Sequence, residues 1–320
     1  MNLLSLFLPY IAVITGLIFL AISSDKFIDG SSSMAEILGV SPLIIGITII
    51  GFGTSAPEII VAIFASMAGN SDLAIGNALG SNIANIALVL GVAALFFPLF
   101  FTSNLVKKEL PILLFTQILV FVLLADLYFS TMDSLLMIIT LIIILSWMIY
   151  AAKKLKNKQK LRQEFNQKIP HNISLIKTIY LTLGGFIFLL ISAKVLVWGA
   201  VEIAISWGVS DLVIGLSIVA VGTSLPELAA AISAGRKKQY NLIIGNVIGS
   251  NIFNTLAVLT IPALFAPVAL EPNTINRDLL LSTILSLFLL IIIFYNKNKL
   301  NKYVGLLLVI IFITYQIFIF

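Results

Sequence analysis

The sequence has no cysteine and a single histidine, His171. Disulfides, thiolate metal sites and cysteine nucleophiles are excluded, and imidazole chemistry has one candidate residue at most. Charge is scarce too. Asp, Glu, Lys and Arg make up 10% of the chain, where a soluble domain carries about a quarter. The net charge of +5 does not argue for a nucleic-acid partner, because the basic residues are confined to a few short segments between apolar runs. The first apolar run, "MNLLSLFLPYIAVITGLIFLAIS", has no basic leader and no A-x-A-like site after it. It is expected to be a retained span rather than a signal peptide.

What is abundant is oil. Hydrophobic residues account for 60% of the chain and mean hydropathy is +1.13. Runs of ~20 apolar residues, each able to cross a ~30 Å hydrocarbon core, follow one another closely. The expected fold is an all-α polytopic membrane protein whose partner is the lipid bilayer. Ten transmembrane helices are expected at 5–23, 41–68, 72–98, 110–126, 132–152, 175–198, 210–235, 240–267, 279–295 and 302–319. The more polar stretches 24–39 and 199–208 either extend the preceding helices or form surface turns.

Seventeen of the nineteen Lys and Arg residues fall in loops on one side: Lys26, Lys107, Lys108, the run Lys153 to Lys177, Arg236 to Lys238, and Lys297, Lys299 and Lys302. Arg277 falls on the other side and Lys194 within the sixth span. The positive-inside rule makes the crowded side cytoplasmic and puts both termini outside. The hydrophilic segment 153–174, which holds His171, divides the chain into five-helix units at 1–152 and 175–320. It reads as a solvated cytoplasmic linker in preference to a regulatory or lipid-binding element.

The two units are copies. Sliding the chain by 169 positions aligns Ile22–Gly91 with Ile191–Thr260 without a gap, and 30 of the 70 positions are identical. "GVSPLIIG" matches "GVSDLVIG", "GTSAPE" matches "GTSLPE", and "IGNALGSNIAN" matches "IGNVIGSNIFN". Five spans is an odd number, so the second copy must enter the membrane from the opposite face. The loop "MAGNSD" of the first copy becomes "RKKQYN" in the second, as that inversion requires. Inverted repeats build alternating-access transporters with a midplane site, and they also build channels.

Each copy places a carboxylate, Glu58 or Glu227, at the middle of an apolar span. An ionised acid there must face an interior, find partners or be protonated. Oxygen donors surround it. Thr54 and Ser55 share its helical face, and Thr223 and Ser224 share that of Glu227. Gly51, Gly53 and Pro57 predict a helix break that frees carbonyls near Gly51–Thr54, with Ala220 taking the place of Gly51 in the second copy. The following span carries a polar stripe, Asn77, Ser81 and Asn85, repeated as Asn246, Ser250 and Asn254. Helix–helix hydrogen bonding is the competing role for that stripe. Gly76, Gly80, Gly245 and Gly249 read as packing contacts.

Oxygen donors without nitrogen or sulfur suit Na⁺, K⁺, Ca²⁺ or Mg²⁺, and a dry cage of many oxygens leans towards Ca²⁺. An empty, doubly negative site resists closure, whereas a filled one closes, which couples inward and outward transport. A passive cation channel is the alternative of another class. An enzyme using Ser55 or Ser224 as nucleophile lacks a base, with Lys194 the one basic residue inside a span. No enzyme activity, cofactor or obligate protein partner is expected.

With "GTSAPE" and "GNALGSNIAN" in one half and "GTSLPE" and "GNVIGSNIFN" in the other, the chain resembles the calcium/cation antiporter superfamily, and its sodium/calcium exchanger branch in particular. The resemblance covers essentially the whole chain and makes 41–98 and 210–267 its α-repeats. It implies electrogenic exchange, typically of three Na⁺ for one Ca²⁺, with the first and sixth helices sliding against the rest. Carried over by position, it implies a cation site of Glu58, Glu227, Thr54, Ser55, Ser81, Asn85, Thr223, Ser224, Ser250 and Asn254, with the backbones of Gly51 and Ala220. Members often have Asp where this chain has Asn254, so two formal charges stand in place of three. Proton-coupled and potassium-dependent antiport therefore stay open beside sodium/calcium exchange. The family's large regulatory domains have no counterpart in a linker of about 20 residues. A prokaryotic plasma membrane is the expected location.

Overall fold

Hydrocarbon offers a backbone no hydrogen-bond partner but itself, so a chain this apolar must pair its amides within helices. The computed structural model describes residues 3–100, 108–154, 174–208, 220–272, 274–296 and 299–319. In order these form α1 (Leu3–Leu38), α2 (Pro42–Met67), α3 (Ser71–Phe96), α4 (Leu110–Leu123), α5 (Thr131–Lys154), α6 (Leu175–Ser206), α7 (Leu225–Arg236), α8 (Tyr240–Phe265), α9 (Thr274–Tyr295) and α10 (Lys302–Ile319). A short turn, Ala220–Thr223, precedes α7. Among the described residues, eight helices are long and apolar enough to cross a membrane. At 14 residues, α4 rises about 21 Å and falls short of a full crossing. Most of the linker, including His171, and the start of the expected seventh span lie outside the described residues.

The polar stretch after the first span continues the helix. α1 runs unbroken through Ser24 to Leu38, and α6 likewise runs on to Ser206. These two helices pack antiparallel. Gly16 faces Leu196, Phe27 faces Gly185, and Gly30 faces Thr182, so numbers rise on one helix as they fall on the other. The contacts are reciprocal under the 169-residue shift: Gly16 against Leu196 returns as Gly185 against Phe27, and Gly30 against Thr182 as Gly199 against Val13. Both helices are largely exposed on their outer sides, whereas α8 is almost wholly buried and α3 mostly so. The lipid-facing pair thus flanks a core built on α3 and α8.

Two-residue strands exchange partners between the halves. β1 (Leu99–Phe100) pairs antiparallel with β4 (Lys299–Leu300), and β2 (Tyr128–Phe129) with β3 (Val268–Ala269). The loops before α4 and α10 therefore share one end of the bundle, and those before α5 and α9 share another. At the end of α7, Lys237 reaches Asp29 on α1 at 2.7 Å, and Ser233 donates to Asp25.

Four helical segments depart from regular α-geometry where the sequence motifs fall. α2 contains a π-turn at Gly46–Ile50, and its axis breaks at Ser55 (φ −79°, ψ 2°). The break comes just after the stretch 51–54, which keeps a helical turn. A second helical segment starts at Ala56, where Pro57 is tolerated because first-turn N–H groups need no intrahelical partner. Ser224 repeats this geometry before α7 (φ −88°, ψ 2°), with Pro226 in the same place. α3 and α8 each turn π-helical at the matched asparagines, over Asn85–Leu90 and Asn254–Val258.

Candidate cation site

The breaks at Ser55 and Ser224 set Glu58 and Glu227 in the first turn of a new helix. Exposed N–H groups and the positive end of the helix dipole favour a carboxylate there. Each motif therefore does two jobs: its serine ends one helix, and its acid opens the next. Both acids are wholly buried, as are Thr54, Ser55, Ser250 and Asn254, while Ser81, Asn85 and Ser224 are nearly so.

The two halves interlock at this point. The Thr54 hydroxyl donates to Asn246 Oδ1 at 3.0 Å and lies 3.1 Å from the Ser250 hydroxyl. Ser250 also reaches the Gly51 carbonyl at 3.3 Å, which in addition accepts the Ser55 N–H. Close approach of the backbones allows this. A Cβ on Gly249 would collide with the backbone of Ile47, and one on Gly245 with Leu43 and Gly46. For Gly76 and Gly80 no described residue comes so near. Ser81 donates to Glu58 Oε1 over a long 3.4 Å. Glu227 lies near enough to Glu58 for the two charges to interact, and neither of its oxygens has a hydrogen-bond partner among the described residues.

Many oxygens here are buried and have no protein partner. They include Ser55 Oγ, Glu58 Oε2, Ser224 Oγ, both oxygens of Glu227, and the amide oxygens of Asn85 and Asn254. Buried polar atoms are normally paired, and two facing carboxylates add a strong electrostatic penalty. A hard cation resolves both problems, since Ca²⁺ takes six to eight oxygen ligands of this kind. Among the described residues no cluster of three or more His, Cys, Asp or Glu exists. A cation would thus be held by two acids and neutral oxygens, a set compatible with release as well as capture.

Of the twelve residues expected at the site, Gly51, Thr54 and Ser250 share one hydrogen-bonded group and Ser81 and Glu58 another, with the charge of Glu227 near that of Glu58. Ser55, Asn85, Ser224 and Asn254 are buried beside them in sequence, with their polar atoms unpartnered. Thr223 is half-buried, and its turn, which begins at Ala220, packs on α3. Sequence reasoning missed a second polar group. Asn82 donates to Thr255 Oγ1 at 2.9 Å, Gln117 donates to the same oxygen at 3.1 Å, and Asn251 donates to the Asn82 carbonyl at 3.3 Å. The repeated "GSN" was the available signal for Asn82 and Asn251. Thr255 breaks the repeat, its counterpart being Ile86, and Gln117 stands outside the aligned region.

Comparison with known proteins adds three findings. The family described as sodium/calcium exchanger protein matches residues 8–152 and 177–320. The putative antiporter CaxA of Alkalimonas amylolytica is 40% identical over 97% of this chain and 98% of its own length, and the inner membrane protein YrbG of Escherichia coli (strain K12) is 34% identical over 92% of each. A solved structure of the sodium-calcium exchanger NCX_Mj, soaked with Na⁺ and Sr²⁺, superposes with a TM-score of 0.83 at 34% identity, covering 96% of this chain and 97% of that one.

Proposed function

The chain belongs to the sodium/calcium exchanger protein family and is a membrane cation antiporter, and we propose that it exchanges Na⁺ for Ca²⁺ by alternating access to one midplane site. The observation that carries this reading is the pair Glu58 and Glu227. Both are fully buried, within reach of each other's charge, and surrounded by unpartnered oxygens from both halves. Two carboxylates neutralise one Ca²⁺, and Na⁺ ions compete for the same oxygens. When ionised and empty of cation, the pair opposes dehydrated closure. Return of the empty carrier is thereby blocked, and the two fluxes become coupled.

The residues assigned to the site are Glu58, Glu227, Thr54, Ser55, Ser81, Asn85, Thr223, Ser224, Ser250 and Asn254, with the backbones of Gly51 and Ala220. The architecture is ten spans in two inverted five-helix repeats, at 1–152 and 175–320, joined by the linker 153–174. Two observations support the inversion: the antiparallel packing of α1 on α6, and its reciprocity under the 169-residue shift. The strand pairs support the sidedness, since they join loops that the distribution of Lys and Arg already assigns to the same side. The basic end is cytoplasmic, and the membrane is a prokaryotic inner membrane, as for the relative from Escherichia coli. The chain works without a cofactor or enzymatic step; its relatives are named as an antiporter and an exchanger.

Reconstitution tests this reading. Ca²⁺ uptake into sealed proteoliposomes should follow an outward Na⁺ gradient and cease when the gradient is dissipated. Uptake driven equally by a pH gradient, or dependent on K⁺, would move the assignment to the proton-coupled or potassium-dependent alternatives. Conductance independent of any counter-ion would mark a channel.

A further inference from the structure

We propose that Gln117 is a positioning residue for the ion site, acting through Thr255 on the neighbouring amide of Asn254. The inference rests on the reading above in which Asn254 faces the ions.

α4 contributes no acid to the site, and its two buried polar side chains have separate uses. Thr116 returns its hydroxyl to Leu113 of the same helix at 2.7 Å. Gln117, fully buried, reaches across to α8 and donates to Thr255 Oγ1 at 3.1 Å. Asn82, also fully buried, donates to that same oxygen from α3 at 2.9 Å. A single hydroxyl oxygen therefore joins three helices inside a low-dielectric core, where removing one partner strands the others.

The joint sits beside the ion site in sequence and in space. Asn82 directly follows Ser81, which holds Glu58. Thr255 directly follows Asn254, and the two open the π-turn Asn254–Val258. In that turn the Asn254 carbonyl takes the Leu259 N–H at 2.9 Å, five residues on. A π-turn departs from the regular α-helical ladder, so side-chain contacts within it add to what its i→i+5 backbone bonds fix. Fixing Thr255 from two directions fixes the aim of Asn254, whose own amide atoms have no protein partner.

Among the described residues, the matched crossing in the other half has no such joint. Ile86 stands where Thr255 does, and Ser286, 169 residues on from Gln117, returns its hydroxyl to Ser282. The clamp thus marks one of the two asparagines, Asn254 and not Asn85. A general need to satisfy polar groups in the core would not single out one copy in this way.

A double-mutant cycle in proteoliposomes tests the proposal, reading half-saturation for Ca²⁺ and Na⁺ separately from maximal rate. Gln117→Leu is expected to shift half-saturation roughly tenfold, the size of one uncompensated buried hydrogen bond. In an Asn254→Ala background the same change is expected to add nothing. Thr255→Val, close to isosteric, should reproduce Gln117→Leu, and Thr255→Ser should behave as wild type. The Thr255 pair carries the test if Gln117→Leu does not assemble. Equal shifts in both backgrounds, or Thr255→Ser matching Thr255→Val, would overturn the positioning role. A null effect of Gln117→Leu with a clear effect of Asn254→Ala would overturn it alone. No effect of Asn254→Ala by itself would overturn the assignment of Asn254 to the site, and this inference with it.

Discussion

The hydroxyl of Thr54, on α2, donates to the amide oxygen of Asn246, on α8, at 3.0 Å. These residues lie 192 positions apart, one in each copy of the repeat. A hydroxyl has one proton, so the contact at 3.1 Å with Ser250 is made with Ser250 as donor or with the proton shared. The oxygen of Thr54 remains an acceptor towards the site while its proton locks the halves together.

Thr54→Val keeps the shape and removes that oxygen. One buried acceptor and one buried donor lose their partner, costing about 1–3 kcal/mol. The expected result is a Ca²⁺ half-saturation raised about tenfold, which corresponds to 1.4 kcal/mol, with folded protein still recovered by size-exclusion chromatography. A maximal rate and half-saturation equal to wild type would remove Thr54 from the site.

Neutralising either acid should be far more damaging. Glu58→Gln or Glu227→Gln halves the charge offered to a divalent ion in a medium where each buried charge is costly. Ca²⁺-dependent flux is expected to fall at least about a hundredfold, in line with the loss of a central charge–ion contact. Isothermal Ca²⁺ binding to the purified variants checks that the defect lies in binding. Retained binding and flux in either variant would leave that acid with a structural role.

Asn254→Asp adds a third carboxylate to the proposed site. An additional negative charge at short range strengthens attraction to a divalent ion more than to a monovalent one. The ratio of Na⁺ to Ca²⁺ half-saturation is expected to rise several-fold over wild type, read by competition in ⁴⁵Ca²⁺ uptake. An unchanged ratio would place the residue 254 side chain away from the ions.

The contact between α2 and α8 predicts a stability effect of another kind. Gly249→Val would drive a branched side chain into the backbone of Ile47, and overpacking of this sort costs about 1–3 kcal/mol or more. A lower melting temperature in detergent and poor recovery of monodisperse protein are expected. Gly69→Ala on the α2–α3 turn meets nothing within 4 Å, but its φ of 76° is strained for alanine. A small loss confined to local stability is expected there.

Much of this arrangement was legible because it was written twice. Glu58 and Glu227 stand out as acids in oil, and the repeat itself turns one improbable acid into a pair. Pro57 announced a break, yet its place is Ser55, and Ser224 in the second copy, where ψ near 2° leaves the helical range. The π-turns at Asn85 and Asn254 were not legible, since a one-residue widening of a helix leaves no periodic signature. The extent of α1 was ambiguous because Asp25, Lys26 and Asp29 look like the end of a span. In the structure, Asp25 and Asp29 pair with the end of α7, which lets the helix run on. Gln117 and Thr255 were invisible for the opposite reason to the acids: neither is echoed in the other copy.

The central claim is that Glu58 and Glu227 form one cation site serving two opposed fluxes. It is tested most directly by ⁴⁵Ca²⁺ uptake into proteoliposomes loaded with Na⁺ and diluted into Na⁺-free medium, with wild type, Glu58→Gln and Glu227→Gln in parallel. The account predicts gradient-driven uptake by wild type that collapses when external Na⁺ equals internal Na⁺, and no uptake by either variant. Ca²⁺ entry by wild type that persists with no Na⁺ gradient, or robust Na⁺-driven uptake by either variant, would contradict it.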